Sequence, residues 1–129
     1  WRDGGDFTYN EAKSWCAVVL LSGSSIFLGD ELSKLNEKGL SLIYTTLKYA
    51  DFKSATPILK GSEGLPEIWQ KKDSCATYVF NYGKTAKEYT ITLENGTYFD
   101  IFENTEYVVT NNTLTLTINS RDCACLYKK

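Results

Sequence analysis

The chain of 129 residues contains no histidine, no methionine, two prolines and four cysteines. Without an imidazole there is no usual base for a serine or cysteine nucleophile. Ser22-Gly23-Ser24 also lacks the flanking glycines of a nucleophile elbow. Cys123 and Cys125 lack the C-x-x-C spacing of redox and zinc motifs, and Cys16 and Cys75 lie in distant segments. The thiols therefore read as buried and free, and no metal and no cofactor are expected. Absence of a disulfide framework favours a cytoplasmic over a secreted setting. A net charge of −2 offers no basic surface, so neither nucleic acid nor anionic lipid is an expected partner. No apolar run approaches the ~18–20 residues of a membrane span. Trp1-Arg2-Asp3-Gly4-Gly5-Asp6 is neither an initiator methionine nor a signal peptide, so a processed chain or an excised fragment is expected.

What is present falls into two styles. Hydrophobic residues make up 43% of the chain and charged ones 23%, enough for one domain with a core. Thr8-Tyr9-Asn10-Glu11 is a capping box, predicting a helix over Tyr9–Leu21. Ala12, Trp15, Cys16 and Val19 share one face of it. Ala17, Val18, Leu20 and Leu21 fill the others, so its second half requires burial on several sides. Ser25-Ile26-Phe27-Leu28 reads as a short buried strand, with Gly29-Asp30 at its end. Asn36 then caps a helix over Glu37–Lys48, Leu35 and Leu40 forming a staple. Leu40, Ile43, Tyr44 and Leu47 form its apolar stripe.

From Glu67 the period becomes two. Strands are expected over 67–71, 75–82, 88–93, 97–102, 106–110, 113–118 and 122–127. Asn95-Gly96 is the strongest hairpin signal, calling for positive φ at both residues, with 97–102 as the return strand. Asn111-Asn112 is a second hairpin turn. Phe80, Ile91, Leu93, Leu114, Leu116 and Ile118 are expected inward. The Asn95-Gly96-Thr97 and Asn111-Asn112-Thr113 glycosylation sequons overlap both turns. The pattern is that of an antiparallel β-sandwich.

The block Asn10-Glu11-Ala12-Lys13-Ser14-Trp15, Leu21-Ser22-Gly23-Ser24 and Leu28-Gly29-Asp30-Glu31-Leu32 resembles the end of the catalytic barrel in melibiase-like α-galactosidases, glycoside hydrolase families 27 and 36. Gly96-Thr97-Tyr98-Phe99-Asp100-Ile101-Phe102-Glu103 resembles their closing sandwich pattern. The resemblance implies a mainly β fold: an antiparallel β-sandwich C-terminal domain preceded by the last strand and helices of a truncated (β/α)8 barrel. Residues 1–50 would be terminal barrel elements, 51–66 a connector and 67–129 the sandwich.

The retaining mechanism of such enzymes uses two carboxylates about 5–5.5 Å apart. In the family both come from earlier barrel strands. No acidic residue here lies in either motif, so no catalytic residue carries over and the chain alone is expected to be inactive. Asp30 is the substrate-binding candidate: at the end of the eighth strand it would face the pocket as a hydrogen-bond acceptor. It also fits a local cap on Glu31-Leu32-Ser33. Trp69, Tyr78, Tyr82, Tyr98 and Tyr107 are candidates for stacking on sugar, or for packing inside. The expected partners are the missing catalytic barrel, carbohydrate, and a second copy through exposed N-terminal helices. Against the hydrolase-fragment reading stands a stand-alone carbohydrate-binding β-sandwich, and behind it a non-enzymatic interaction module.

Overall fold

A computed structural model describes residues 8–23, 37–51, 53–58, 66–71 and 76–129. The expected strand 25–28, the Asn36 cap with its Leu35 staple, and Asp30 lie outside these residues. Among those described, the order is α1 (Tyr9–Ser22), α2 (Glu37–Tyr49), β1 (Thr56–Pro57), β2 (Ile68–Gln70), β3 (Ala76–Phe80), β4 (Lys87–Thr92), β5 (Gly96–Asp100), β6 (Thr105–Val109), β7 (Thr113–Ile118) and β8 (Cys123–Lys128). The fold is mainly β, with all strand pairs antiparallel. Neither helix is long and apolar enough to cross a membrane.

The strands wind as one long folded ribbon. β3 pairs with β8, β4 with β7 and β5 with β6. This ribbon reverses at 101–104 and bends twice, bringing β5 beside β8. The result is a six-stranded sheet in the order β1-β2-β3-β8-β5-β6 and a two-stranded sheet, β4-β7. Nested pairing of this kind is the winding of Greek-key sandwiches.

Two polar staples fix the bends. At the first, the Leu93 N–H donates to the Asn112 carbonyl at 3.0 Å and the Asn112 N–H to Asn95 Oδ1 at 2.8 Å. At the second, buried Asn81 donates through Nδ2 to the carbonyls of Thr85, Ile118 and Asn119 at 2.8, 2.9 and 3.2 Å. Its Oδ1 accepts the Gly83 N–H, and its own N–H bonds the Asp122 carbonyl. One amide side chain thus satisfies main-chain groups that the bent ladders leave unpaired.

These bends correct the hairpin expectation. Asn95-Gly96 does not join paired strands: β4 and β5 lie in different sheets, and only Gly96 has positive φ, at 147°. The Asn95 side chain is taken by the Asn112 N–H across the bend, which favours a sheet-to-sheet corner over a local hairpin. The tight turn is instead at Asn111-Asn112, both at φ 56°, with the Thr113 N–H on the Thr110 carbonyl at 3.3 Å. Its flanking strands diverge after the single Thr110–Thr113 bridge.

The six-stranded sheet is covered on both faces, and every residue of β3 is buried. Val79, Ala124, Leu126 and Tyr98 face β4-β7, meeting Tyr89, Ile91, Leu93, Leu116 and Ile118. Ala76, Tyr78, Phe80, Cys123 and Cys125 face the helical layer, where they meet Ala17, Leu20 and Leu21 of α1. Phe80 therefore belongs to the helix-side core and not to the inter-sheet one.

Both helices form where the sequence places them, each one residue longer than expected. The Thr8–Glu11 capping box closes α1, and Gly23 ends it at φ 67°. A Cβ on Gly23 would lie 2.7 Å from the Lys53 carbonyl carbon, so glycine is needed for conformation and for room. The rotation of the helices differs from expectation. α1 buries Lys13, Ala17, Leu20 and Leu21, while α2 buries Gly39, Leu42 and Thr46. Trp15 and the Tyr44–Leu47 stripe turn outward.

Candidate functional site

Lys13 sets the pose of α1. Its side chain is 2% exposed, with Nζ 2.5 Å from Glu103 Oε1 and 2.7 Å from Asp122 Oδ1. Burial works to lower its pKa, but hydrogen bonds to Asp122 and Glu103 outweigh this and hold the ammonium above its ordinary value. Asn10 Nδ2 and Ser14 Oγ add bonds to the carbonyls of Ser120 and Arg121. Helix and second bend are thereby locked together. A second buried cation, Lys71, meets Asp51 at 2.6 Å and lies over the Tyr78 ring. Tyr78 and Tyr127 share a hydroxyl–hydroxyl bond of 2.6 Å, and burial drives the Tyr78 pKa upward.

Glu103 and Asp122 flank one ammonium, so a lysine occupies the gap where a glycoside would have to sit. Asp51, Glu67, Glu94 and Glu106 each meet a lysine. Glu67 also accepts a bond from the Tyr89 hydroxyl. Burial would raise its pKa, but Tyr89 and Lys87 together hold it below the ordinary value. Asp100 is buried, and burial raises its pKa; its Oδ1 accepts the N–H groups of Phe102 and Glu103 to shape the ribbon tip. Such groups hold charge in place and build turns.

The sequence candidates disperse. Asp30 lies outside the described residues. Tyr78 and Tyr98 are buried, and Trp69 and Tyr107 are packed against the two cores. Tyr82 is half-exposed, but its ring stacks on Phe80 and its hydroxyl bonds the Pro66 carbonyl. Together they form no exposed row of rings. Cys123 and Cys125 are buried free thiols, and Cys16 is half-buried. Burial raises the Cys16 and Cys125 pKa values, which opposes thiolate chemistry. Asn95 and Asn111, the sequon asparagines, are both exposed.

Four large apolar side chains of the helices are exposed. Trp15 is 70% exposed, Tyr44 67%, Leu47 45% and Val18 38%, all on the helical layer. The helices pack on each other and α1 packs on the sheet through their other faces. Each thus spends its smaller or mixed face inward and turns large apolar side chains to solvent. Exposed apolar residues in such a group mark an interaction surface more often than a monomer's surface. The Gly39-Leu42-Thr46 spacing was the available signal: it is a second helical stripe, overlooked because Leu40, Ile43, Tyr44 and Leu47 are more hydrophobic.

No protein-family profile matches the chain, and no curated protein sequence matches it. Solved structures do. A Bacteroides fragilis protein, provisionally assigned as an α-galactosidase/melibiase, superposes with a TM-score of 0.79 at 13% identity, covering 98% of this chain and 30% of that one. α-Galactosidase I from Mortierella vinacea gives 0.74 at 15% identity, over 96% of this chain and 36% of that one. A family 27 β-L-arabinopyranosidase from Geobacillus stearothermophilus gives 0.71 at 14% identity, over 98% and 33%. This chain spans about a third of each of these proteins. The likeness read from the sequence is thus met by the fold: two helices and an antiparallel β-sandwich, similar over nearly their whole length to one part of melibiase-like α-galactosidase structures.

Proposed function

We propose that the chain is the C-terminal part of an α-galactosidase-like glycoside hydrolase, in which the sandwich braces a catalytic barrel supplied by the rest of the polypeptide. The observation that carries this reading is coverage. Almost all of this chain superposes on such proteins, and about two thirds of each of them has no counterpart here. The exposed Trp15, Val18, Tyr44 and Leu47 support it, because neighbouring barrel elements would cover a helical face that the sandwich does not. The locked contacts of Lys13 and Lys71 support a bracing role, since the first fixes α1 on the sandwich and the second ties the segment after α2 to the end of β2. In this reading Asp30 would belong to the barrel's catalytic face and help shape the sugar pocket as a hydrogen-bond acceptor. The sugar does not follow from the fold, as an arabinopyranosidase and α-galactosidases share it.

The chemistry would belong to carboxylates upstream, and the chain alone would be inert. Hydrolysis of an activated aryl α-galactoside by the 129-residue chain, beside the full polypeptide, tests this. The chain should give the background rate and the full polypeptide turnover. Turnover by the chain, abolished by changing one of its own acids, would overturn the reading.

A further inference from the structure

A second feature lies on the opposite side of the six-stranded sheet from the helices. An open cleft of about 320 Å³ sits beside the first bend, near the ends of β2 and β4. Its floor is apolar, formed by Leu93 and the Tyr98 ring, both buried. Its polar lining comes from Gln70, Thr92, Glu94 and Asn112.

The Gln70 and Glu94 side chains are held by bonds that leave part of their capacity unused, and Asn112 is held through its backbone. Gln70 Nε2 donates to the Thr92 carbonyl at 3.3 Å and to Thr77 Oγ1 at 3.4 Å. This fixes the amide and leaves Oε1 without a partner among the described residues. Glu94 gives one carboxylate oxygen to Lys128 at 2.9 Å, and its carbonyl accepts the Tyr98 hydroxyl at 3.0 Å. Its second carboxylate oxygen has no partner among those residues. Asn112 is anchored through its main chain on both sides of the bend, and its side-chain amide has no partner there either. The lining thus offers two amides, a carboxylate oxygen and the Thr92 hydroxyl, with Gln70 set on β2 and Asn112 on backbone fixed by the bend. Lys128 neutralises the one formal charge, which disfavours an ionic ligand.

We propose that this cleft binds one neutral pyranose. Amide and carboxylate groups set side by side match the alternating donors and acceptors of vicinal ring hydroxyls. The volume lies at the lower end for ligand pockets and suits a single ring rather than a chain. Among the described residues no exposed aromatic face lines the cleft, so the affinity expected is weak, roughly 1 mM. The inference goes beyond the bracing role and does not rest on it: the aryl-galactoside assay does not read this cleft, and this cleft does not read that assay.

The test is a titration of the isotopically labelled 129-residue chain with D-galactose, D-glucose and, as a small-polyol control, glycerol, followed by nuclear magnetic resonance. At least one pyranose should give saturable shifts at the Gln70 and Asn112 side-chain amides and the Leu93 N–H, with glycerol giving none. Asn112→Gly removes the amide while keeping a residue at ease with φ 56°. It should retain the dispersed spectrum and bind about tenfold more weakly, the worth of one good hydrogen bond. Gln70→Ala should weaken binding similarly. Absence of saturable shifts with both sugars, equal shifts with glycerol, or unchanged binding in a folded Asn112→Gly chain would overturn the proposal.

Discussion

At the scale of single residues, the bends depend on a few polar side chains that no periodicity exposes. Asn81 satisfies three carbonyls and one N–H in a buried position. Asn81→Ala strands those groups, and a loss of about 1–3 kcal/mol is expected in denaturant melts. Leu116→Ala, between the sheets, should cost about 2–5 kcal/mol by cutting a buried isobutyl group back to a methyl. Gly96→Val forces a β-branched residue to φ 147° and crowds the Lys128 chain, whose Cε lies 3.1 Å from the added Cβ. Lys128 is flexible at that end, so backbone strain dominates, at about 1–3 kcal/mol. Equal melts for wild type and any of these variants would refute the corresponding role. The sequence announced Asn95-Gly96 as a turn, but its consequence was misjudged. Whether two strands pair across a turn depends on the partner that the Asn95 side chain takes, and that partner is 17 residues away.

Element boundaries were the most legible feature. The capping box, the change of period at Glu67 and the run Thr113–Ile118 reappear nearly residue for residue. Facing was less legible for the helices than for the strands. A strand has two faces, so alternation determines which is inside once the sheet is placed. A helix such as α1, apolar nearly all round, permits several rotations. Lys13 decided among them, because Glu103 and Asp122 stand ready at the ribbon tip and the second bend. Its pKa is raised in the folded state, so its stabilisation is complete below the ordinary value of 10.5 and is lost as pH rises through the higher folded value. Tyr78 acts in the same direction: its hydroxyl keeps its proton in the folded state above pH 10.0, where the unfolded chain releases one. Thermal melts should therefore show stability falling as pH climbs above about 10. Tyr78→Phe should flatten that fall. A melting temperature independent of pH between neutrality and strong alkali would contradict this account of the helix–sheet contact.

For the whole molecule, the sandwich was legible because its pattern is local, and exposed N-terminal helices were expected, whereas the residues that face outward became visible only in three dimensions. Changing Trp15, Tyr44 and Leu47 to Ser together should leave the stability of the chain nearly unaltered, since none is buried. The same triple change should weaken docking to the remainder of the polypeptide. It should also suppress association of the isolated chain at high concentration, read by sedimentation equilibrium. A loss of stability comparable to Leu116→Ala would mean that the face belongs to this unit's own core. Asp30, the substrate-binding candidate from the sequence, lies outside the described residues. The most direct measurement is the length of the polypeptide that carries this sequence in its native cell, read by immunoblot with an antibody to the sandwich and by activity in the same fraction. The account predicts a chain about three times as long as these 129 residues, co-purifying with hydrolysis of an aryl α-galactoside or a close analogue. A stable native polypeptide of this length, with no larger form and no associated glycoside hydrolase, would contradict it.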